Sequence, residues 1–262
     1  MRADVFLVEG GHAATRSQAQ RLIASGVEWR LTPLSAWNKV VKNGDDIPPM
    51  AEVRLLDDAE AKYISRGGLK LEGALKATGL VVKGLRCLDV GQSTGGFTDC
   101  LLQHGAAHVV GVDVGHGQLH PALRGDPRVS CIEKANARTL SATVLIAGSP
   151  YLARAGGQFD LVTGDLSFIS LTLVLPALVP LLRAGGHLLM LVKPQFELQP
   201  GQVGKGGLVK DEALYPGVEQ RIRAACSEQG LRVIRWMDSA IAGGDGNREF
   251  FVQALKPHQE AS

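Results

Sequence analysis

The chain has 262 residues, 45% of them hydrophobic and 21% charged, with a formal net charge of +2. This is the composition of a soluble globular protein long enough for one large core and one small extra domain, and it excludes nucleic-acid binding by bulk charge, so any basic surface has to come from clustering. Cys87, Cys100, Cys131 and Cys226 lack paired metal-ligand spacing, no apolar run reaches about 18 residues, and no basic region with an apolar core and cleavage site opens the chain. The expectation is a cytoplasmic protein with free thiols, no membrane span and no metal centre.

Residues 1–61 read as a small α+β domain. Residues 15–27 predict a short helix capped at Thr15, with Ala19, Leu22 and Ile23 on one face, Gly26 as its stop, and Arg16 and Arg21 off that face. A strand follows at residues 53–56, after the turn residues 43–46 and Pro48 and Pro49. Residues 1–44 hold six Lys or Arg against three acids, whereas residues 45–60 hold six acids against Arg54 alone. One edge can touch phosphate while the other repels it. Taken by itself, the basic edge reads first as a solvated face.

Residues 62–68 bring basic residues, an aromatic and two glycines, and read as a linker; residues 69–78 predict a helix that Gly79 ends, with Leu71, Ala74 and Leu75 inward. Lys70 stands near the helix start, where the positive end of the dipole disfavours a cation, and so needs a carboxylate partner or a function. A plain surface lysine is the alternative. Residues 85–98 then form a strand–glycine turn–helix unit in which Gly91, Gly95 and Gly96 let a ligand approach the backbone. Asp113 closes a second strand about 20 residues later, where an acid accepts hydrogen bonds from a ribose. The turn is not G-x-G-x-x-G, and Asp89 would repel a pyrophosphate, which counts against a dinucleotide. An ammonium group suits Asp89 better, and S-adenosylmethionine carries both a ribose and an amino acid.

Strands and helices alternate to the end. Residues 129–133, 159–165 and 187–193 and the regions near Val233 and Phe250 read as strands, residues 171–182 as a largely apolar helix despite two prolines, and residues 214–229 as another helix. Asn136 is a candidate to read an adenine ring, or else an ordinary turn asparagine. Ligands of an open α/β sheet bind outside the carboxyl ends of its strands, which gathers Asp89, Asp113, Asp165 and Lys193 at one rim. Asp165 and Lys193 fit acid–base work or a plain salt bridge. A lysine serves as base only when neutral, a form that Lys70 as second cation favours, with Glu249 available to hold one ammonium.

Six blocks, in order, carry a resemblance: residues 65–71 (SRGGLKL), 89–100 (DVGQSTGGFTDC), 113–119 (DVGHGQL), 165–170 (DLSFIS), 192–197 (VKPQFE) and 246–251 (GNREFF). They resemble the TlyA (hemolysin A) family of FtsJ-like ribose methyltransferases over nearly the whole chain from Lys62. The resemblance implies a Rossmann-like, S-adenosylmethionine-dependent methyltransferase sheet over residues 69–262. The 62–68 linker would join it to a ribosomal-protein-S-four-like RNA-binding domain over residues 1–61. It further implies methyl transfer to a ribose 2′-hydroxyl, of a cytidine, in ribosomal RNA or an assembled ribosomal subunit, with no metal required.

The family's Lys-Asp-Lys-Glu tetrad falls on Lys70, Asp165, Lys193 and Glu249. By that mapping Lys193 accepts the hydroxyl proton or stabilises the alkoxide, Asp165 positions Lys193 and the sulfonium, and Lys70 with Glu249 orients the ribose. The cofactor would be held by Asp89, Gly91, Ser93, Gly95, Gly96, Phe97, Asp113, Asn136 and Asp165, and RNA by Arg16, Arg21 and Arg66. Residues 28–34 (EWRLTPL) replace the family's short Val-Asn-Gly turn, and Gln92 is a variation where the side chain need not face the ligand. Two other classes are a methyltransferase of a small molecule or protein, which the extra N-terminal domain argues against, and a non-catalytic RNA-binding or haemolysin-like protein. A membrane-acting haemolysin would need an exposed amphipathic segment that the sequence does not offer.

Overall fold

The structure, a computed structural model, describes residues 1–13, 15–56 and 62–258. Asp57, Asp58 and Glu60, three of the acids counted above, and the domain boundary expected at residue 61 lie outside the described residues. The chain divides into two compact units, Met1–Leu69 and Lys70–Ser262.

In the first unit α1 (Ala3–Glu9) and α2 (Arg16–Gly26) are followed by β1 (Val27–Arg30), β2 (Asn38–Val40) and β3 (Glu52–Leu55), an antiparallel sheet in the order β2-β1-β3. The Thr15 hydroxyl accepts from Gln18 N at 3.2 Å, satisfying one free amide of the first turn, and Ala19, Leu22 and Ile23 are buried as the spacing predicts. A helix at Ala3–Glu9 was not expected. It starts without a side-chain cap, and its Ala3, Phe6 and Leu7 complete a core with Val27, Val40 and Ile47.

The second unit starts along α3 (Gly67–Thr78), which buries Leu71, Ala74 and Leu75, and continues through β4 (Arg86–Val90), α4 (Gly96–Gln103), β5 (His108–Val112), α5 (Pro121–Arg124) and β6 (Val129–Ile132). Next come α6 (Ala142–Gly148), α7 (Pro150–Ala155), β7 (Phe159–Gly164), α8 (Leu175–Leu178), β8 (Leu182–Val192), α9 (Pro194–Glu197), α10 (Tyr215–Glu228), β9 (Arg232–Asp238) and β10 (Phe250–Leu255). Seven strands pair in the order β6-β5-β4-β7-β8-β10-β9, parallel except where β10 meets β8 and β9. This is a Rossmann-like α/β sheet with an antiparallel edge. Leu88, Val90, Val110, Val112, Val162 and Leu188 are almost fully buried in its core, and each such side chain contributes about 1.5–3 kcal/mol by leaving water.

Residues 171–182 do not form the single helix expected. They break into a 3₁₀ turn at Leu171–Leu173, then α8, then a second 3₁₀ turn at Val179–Leu181. Pro176 and Pro180 each lack an amide donor and crowd the preceding turn, so a continuous ladder cannot pass them.

Strand order places the site. The chain leaves β4 toward β5 on one side, while β7 pairs with β4 on the other, so the carboxyl ends of β4 and β7 flank a topological switch point. Val90 pairs with Gly164, which sets Gly91 beside Asp165, and Phe250 pairs with Val192, which sets Glu249 beside Lys193.

Candidate active site

The turn after β4 is shaped by backbone conformations that glycine adopts without strain. Gly91 has φ +84°, and a Cβ there would lie 2.7 Å from the Asp165 carbonyl oxygen. Gly95, at φ +101°, precedes α4 where a Cβ would collide with Leu123 and Leu119. The turn is tied to the end of β5, since Ser93 N donates to Asp113 Oδ2 at 2.8 Å and Gly115 N to Asp113 Oδ1 at 2.7 Å. A cavity of about 360 Å³ opens here, with Gly91, Ser93, Asp113 and Asp165 on its polar side and Val112, Ala135, Ala137 and Leu166 among its apolar walls.

Other residues singled out in the sequence lie away from this lining. Asp89 is fully buried and turned inward: Gln92 Nε2 donates to Thr98 Oγ1 at 2.9 Å, and Thr98 Oγ1 donates to Asp89 Oδ2 at 2.7 Å. Burial pushes the Asp89 carboxyl up to about 7, the Thr98 hydrogen bond pulling the other way and the Asp165 charge adding to the rise. Gly96 is buried as the first residue of α4, and Phe97 is buried against Phe251, with ring centroids 6.2 Å apart. Asn136 is exposed and its side chain accepts from Arg138 N at 3.0 Å, so it caps the following turn while its neighbours Ala135 and Ala137 face the cavity. Small apolar residues of that kind carry no signal in a sequence, and Leu166, Ser167 and Phe168 were found only as part of a block.

Beside this cavity Lys70, Asp165, Lys193 and Glu249 come together from α3 and from the ends of β7, β8 and the segment before β10. Lys70 Nζ lies 2.6 Å from Glu249 Oε2 and 3.9 Å from Asp165 Oδ2, while Lys193 Nζ lies 2.5 Å from Asp165 Oδ1. Lys193 also donates to Ser167 Oγ at 2.8 Å. Lys70 and Glu249 are buried, so two ammonium groups and two carboxylates alternate in a partly dry, formally neutral chain. Burial raises the Glu249 carboxyl above the ordinary range, against the pull of the Lys70 ammonium. A second cavity, of about 380 Å³, is lined by Lys70, Lys193 and Glu249 and shares Ser167 and Phe168 with the first.

Burial pushes the Cys226 thiol up to about 11 and Cys87 higher still, so neither is a ready nucleophile. Among the described residues no group of three or more His, Cys, Asp or Glu is arranged to hold a metal ion, and no helix is long and apolar enough to cross a membrane. In the first unit Arg16 Nη2 donates to the buried Asp4 carboxylate at 2.7 Å, Arg21 Nη1 donates to the Ser17 carbonyl at 3.1 Å, and Arg66 is half-buried just before α3.

A family model described as FtsJ-like methyltransferase matches residues 63–256. The chain is similar to the 16S/23S rRNA (cytidine-2′-O)-methyltransferase TlyA of Mycobacterium tuberculosis, 43% identical over 251 residues that cover 96% of this chain and 88% of the relative. It is similar also to Hemolysin A of Brachyspira hyodysenteriae, 34% identical over 257 residues, or 97% of this chain and 100% of the relative. Among solved structures it resembles a Streptococcus thermophilus protein described as a candidate hemolysin, with a TM-score of 0.73 at 37% identity, covering 98% of this chain and 88% of that one.

Proposed function

Because the chain belongs to the FtsJ-like methyltransferase family, on its TlyA branch, we propose that it transfers a methyl group from S-adenosylmethionine to the 2′-hydroxyl of a cytidine ribose in ribosomal RNA. The observation that carries this reading is the Asp165–Lys193 pair, which stands where the two cavities meet. One cavity suits the methyl donor and the other the acceptor.

The first cavity has the donor set that S-adenosylmethionine needs. Asp113 is pinned by two amides and keeps lone pairs for ribose hydroxyls, Val112, Leu166, Ala135 and Ala137 offer apolar walls to a purine, and the bare Gly91 leaves room for close approach. Asp165 faces the same space with negative charge. Bound there, the cofactor supplies an electrophilic methyl group on a sulfonium sulfur.

Everything else is positioning by this chain's residues. Lys193, held by Asp165 and Ser167, takes the hydroxyl proton as an amine, or as an ammonium hydrogen-bonds to the developing alkoxide while the hydroxyl proton leaves to solvent water. Lys70 and Glu249 orient the ribose across the second cavity. Holding the oxygen in line with the bond that breaks contributes more than proton transfer does. Ribosomal RNA as substrate places the activity in the cytoplasm, and the first unit, as an S-four-like domain, supplies RNA contacts through Arg16 and Arg21, with Arg66 at the junction.

The test is transfer of labelled methyl from S-adenosylmethionine to ribosomal subunits and to naked ribosomal RNA, with the modified ribose mapped. Wild type should label a 2′-oxygen, and Lys193→Ala should lose about 10²–10⁴-fold in rate while still binding the cofactor. Cofactor binding without label on either RNA form would point to another substrate, and no cofactor binding would overturn the reading altogether.

A further inference from the structure

The segments after β7 and after β8 carry most of the proposed chemistry, and three contacts join them like rungs. At the first rung Lys193 meets Asp165 and Ser167. At the second the rings of Phe168 and Phe196 pack with centroids 5.2 Å apart and planes tilted by 49°. At the third, Glu197 Oε2 accepts from Ser170 Oγ at 2.5 Å and Oε1 from Leu171 N at 2.7 Å.

The proposed reaction does not account for the third rung. Glu197 is buried and lines neither of the two cavities. A carboxylate out of water is penalised unless hydrogen-bonded, and an apolar side chain of similar size would fill the space without that penalty. Here both carboxylate oxygens are spent on the start of the 3₁₀ turn Leu171–Leu173, while Arg221 Nη1 fixes the Glu197 carbonyl at 2.7 Å. Glu197 ends α9, a single turn that begins at Pro194 directly after Lys193. Movement at one end of so short and stiff a piece is felt at the other. On the opposite segment Phe168 sits at φ +64°, a left-handed conformation that an aromatic residue keeps only when its surroundings hold it.

We propose that Glu197 is a positioning residue whose carboxylate clamps the Ser170–Leu171 turn onto α9 and so holds Lys193 in register with Asp165 and Ser167. This rests on the assignment of Lys193 and Asp165 to methyl transfer, although the clamp itself can be read without it.

The test compares Glu197→Gln, Glu197→Ala and Ser170→Ala in the full chain. Glutamine keeps the volume and the acceptor for Leu171 N, so kcat should fall in the order wild type, Gln, Ala, with about a tenfold to hundredfold loss for Ala. The KM for RNA and the Kd for S-adenosylmethionine should stay within about twofold, because Glu197 touches neither cavity. In a Lys193→Ala background the Glu197→Ala change should add no further loss. Amide exchange should quicken in residues 165–173 and 193–198 and nowhere else, a readout independent of substrate. Wild-type kcat in Glu197→Ala, equal losses in both backgrounds, or exchange that quickens throughout β7, β8 and α10 would each overturn the clamp. A wild-type enzyme that leaves ribosomal RNA unlabelled while the exchange pattern holds would instead overturn the substrate assignment alone.

Discussion

Asp89 is the residue whose chemistry the burial pattern decides. One carboxylate oxygen accepts from Thr98 and the other has no hydrogen-bond partner among the described residues, and burial lifts the group to about 7. An unfolded aspartate titrates near ~3.9, so between about pH 4 and 7 the native state binds the proton more tightly than the unfolded one. The stabilisation from this group is therefore fully present below about pH 4 and is lost as pH rises through about 7, a span worth on the order of 4 kcal/mol. Asp89→Asn mimics the protonated form and still accepts from Thr98. Its melting temperature should exceed wild type at pH 8, by less at pH 5, and converge with it only below about pH 4, which scanning calorimetry would read. Because the carboxylate faces Thr98, S-adenosylmethionine affinity should change by no more than about twofold. A tenfold loss would restore Asp89 to the cofactor contact that the sequence suggested. Glu249 gives the complementary case in activity. Its raised carboxyl takes up a proton at higher pH than an ordinary glutamate and thereby loses its ion pair with Lys70, so the acid limb of the rate profile should lie above the usual carboxylate range. In Glu249→Gln the acid limb should vanish along with most of the rate; an unmoved limb would assign it to another group.

At the scale of elements, the turn after β4 separates two effects of glycine. At Gly91 an added Cβ meets both a left-handed φ and the Asp165 carbonyl, whereas at Gly84 the φ is +79° with nothing within 4 Å. Gly84→Ala should thus cost only backbone strain, about 1–2 kcal/mol of stability. Gly91→Ala should cost that and also push Asp165 away, weakening S-adenosylmethionine binding about tenfold or more; equal affinities for the two variants by titration calorimetry would show that the contact is not a close one. That glycine turn, the buried strands β4, β5 and β7 and the Thr15 cap were legible because apolar runs, glycine and capping residues act locally. Lys70 was legible for the opposite reason, being a cation where a helix start disfavours one. Helix α1 was not, because no side chain caps its start and its Asp4 is buried only through pairing with Arg2 and Arg16 from outside its first turn. Residues 171–182 are apolar enough for one buried helix, yet the two prolines outweigh that character and break the backbone into short turns. Ala135 and Ala137 escaped because their place on a cavity depends on strand order, which no single segment encodes.

Across the whole molecule two buried carboxyls, one in each unit, carry pH responses of opposite sign. Asp4 in the first unit receives Arg2 Nε and Nη2, both at 3.0 Å, and Arg16 Nη2 at 2.7 Å, and these partners hold its carboxyl well below the usual range. A carboxyl depressed on folding stabilises the native state above its unfolded value, near ~3.9, and loses that contribution as pH falls below it. Asp89 in the second unit does the reverse over pH 4 to 7. Acidification should therefore first strengthen the surroundings of Asp89 in β4 and α4 and then loosen those of Asp4 in α1 and α2, and hydrogen exchange measured peptide by peptide at pH 7, 5 and 3.5, corrected for intrinsic rates, would read the two responses apart. Asp4→Asn should abolish the acid-induced loss of protection in α1 and α2 by imposing it already at pH 7. Arg16 is thus both a structural partner of Asp4 and a proposed RNA contact, so its removal confounds fold with binding. Arg21 donates to the Ser17 carbonyl within its own helix rather than to Asp4, and Arg21→Ala, with its melting temperature measured alongside, should raise the KM for ribosomal RNA and lower the salt dependence of binding by about one counterion, with S-adenosylmethionine affinity unchanged. An unaltered salt slope would remove this face of α2 from the RNA interface.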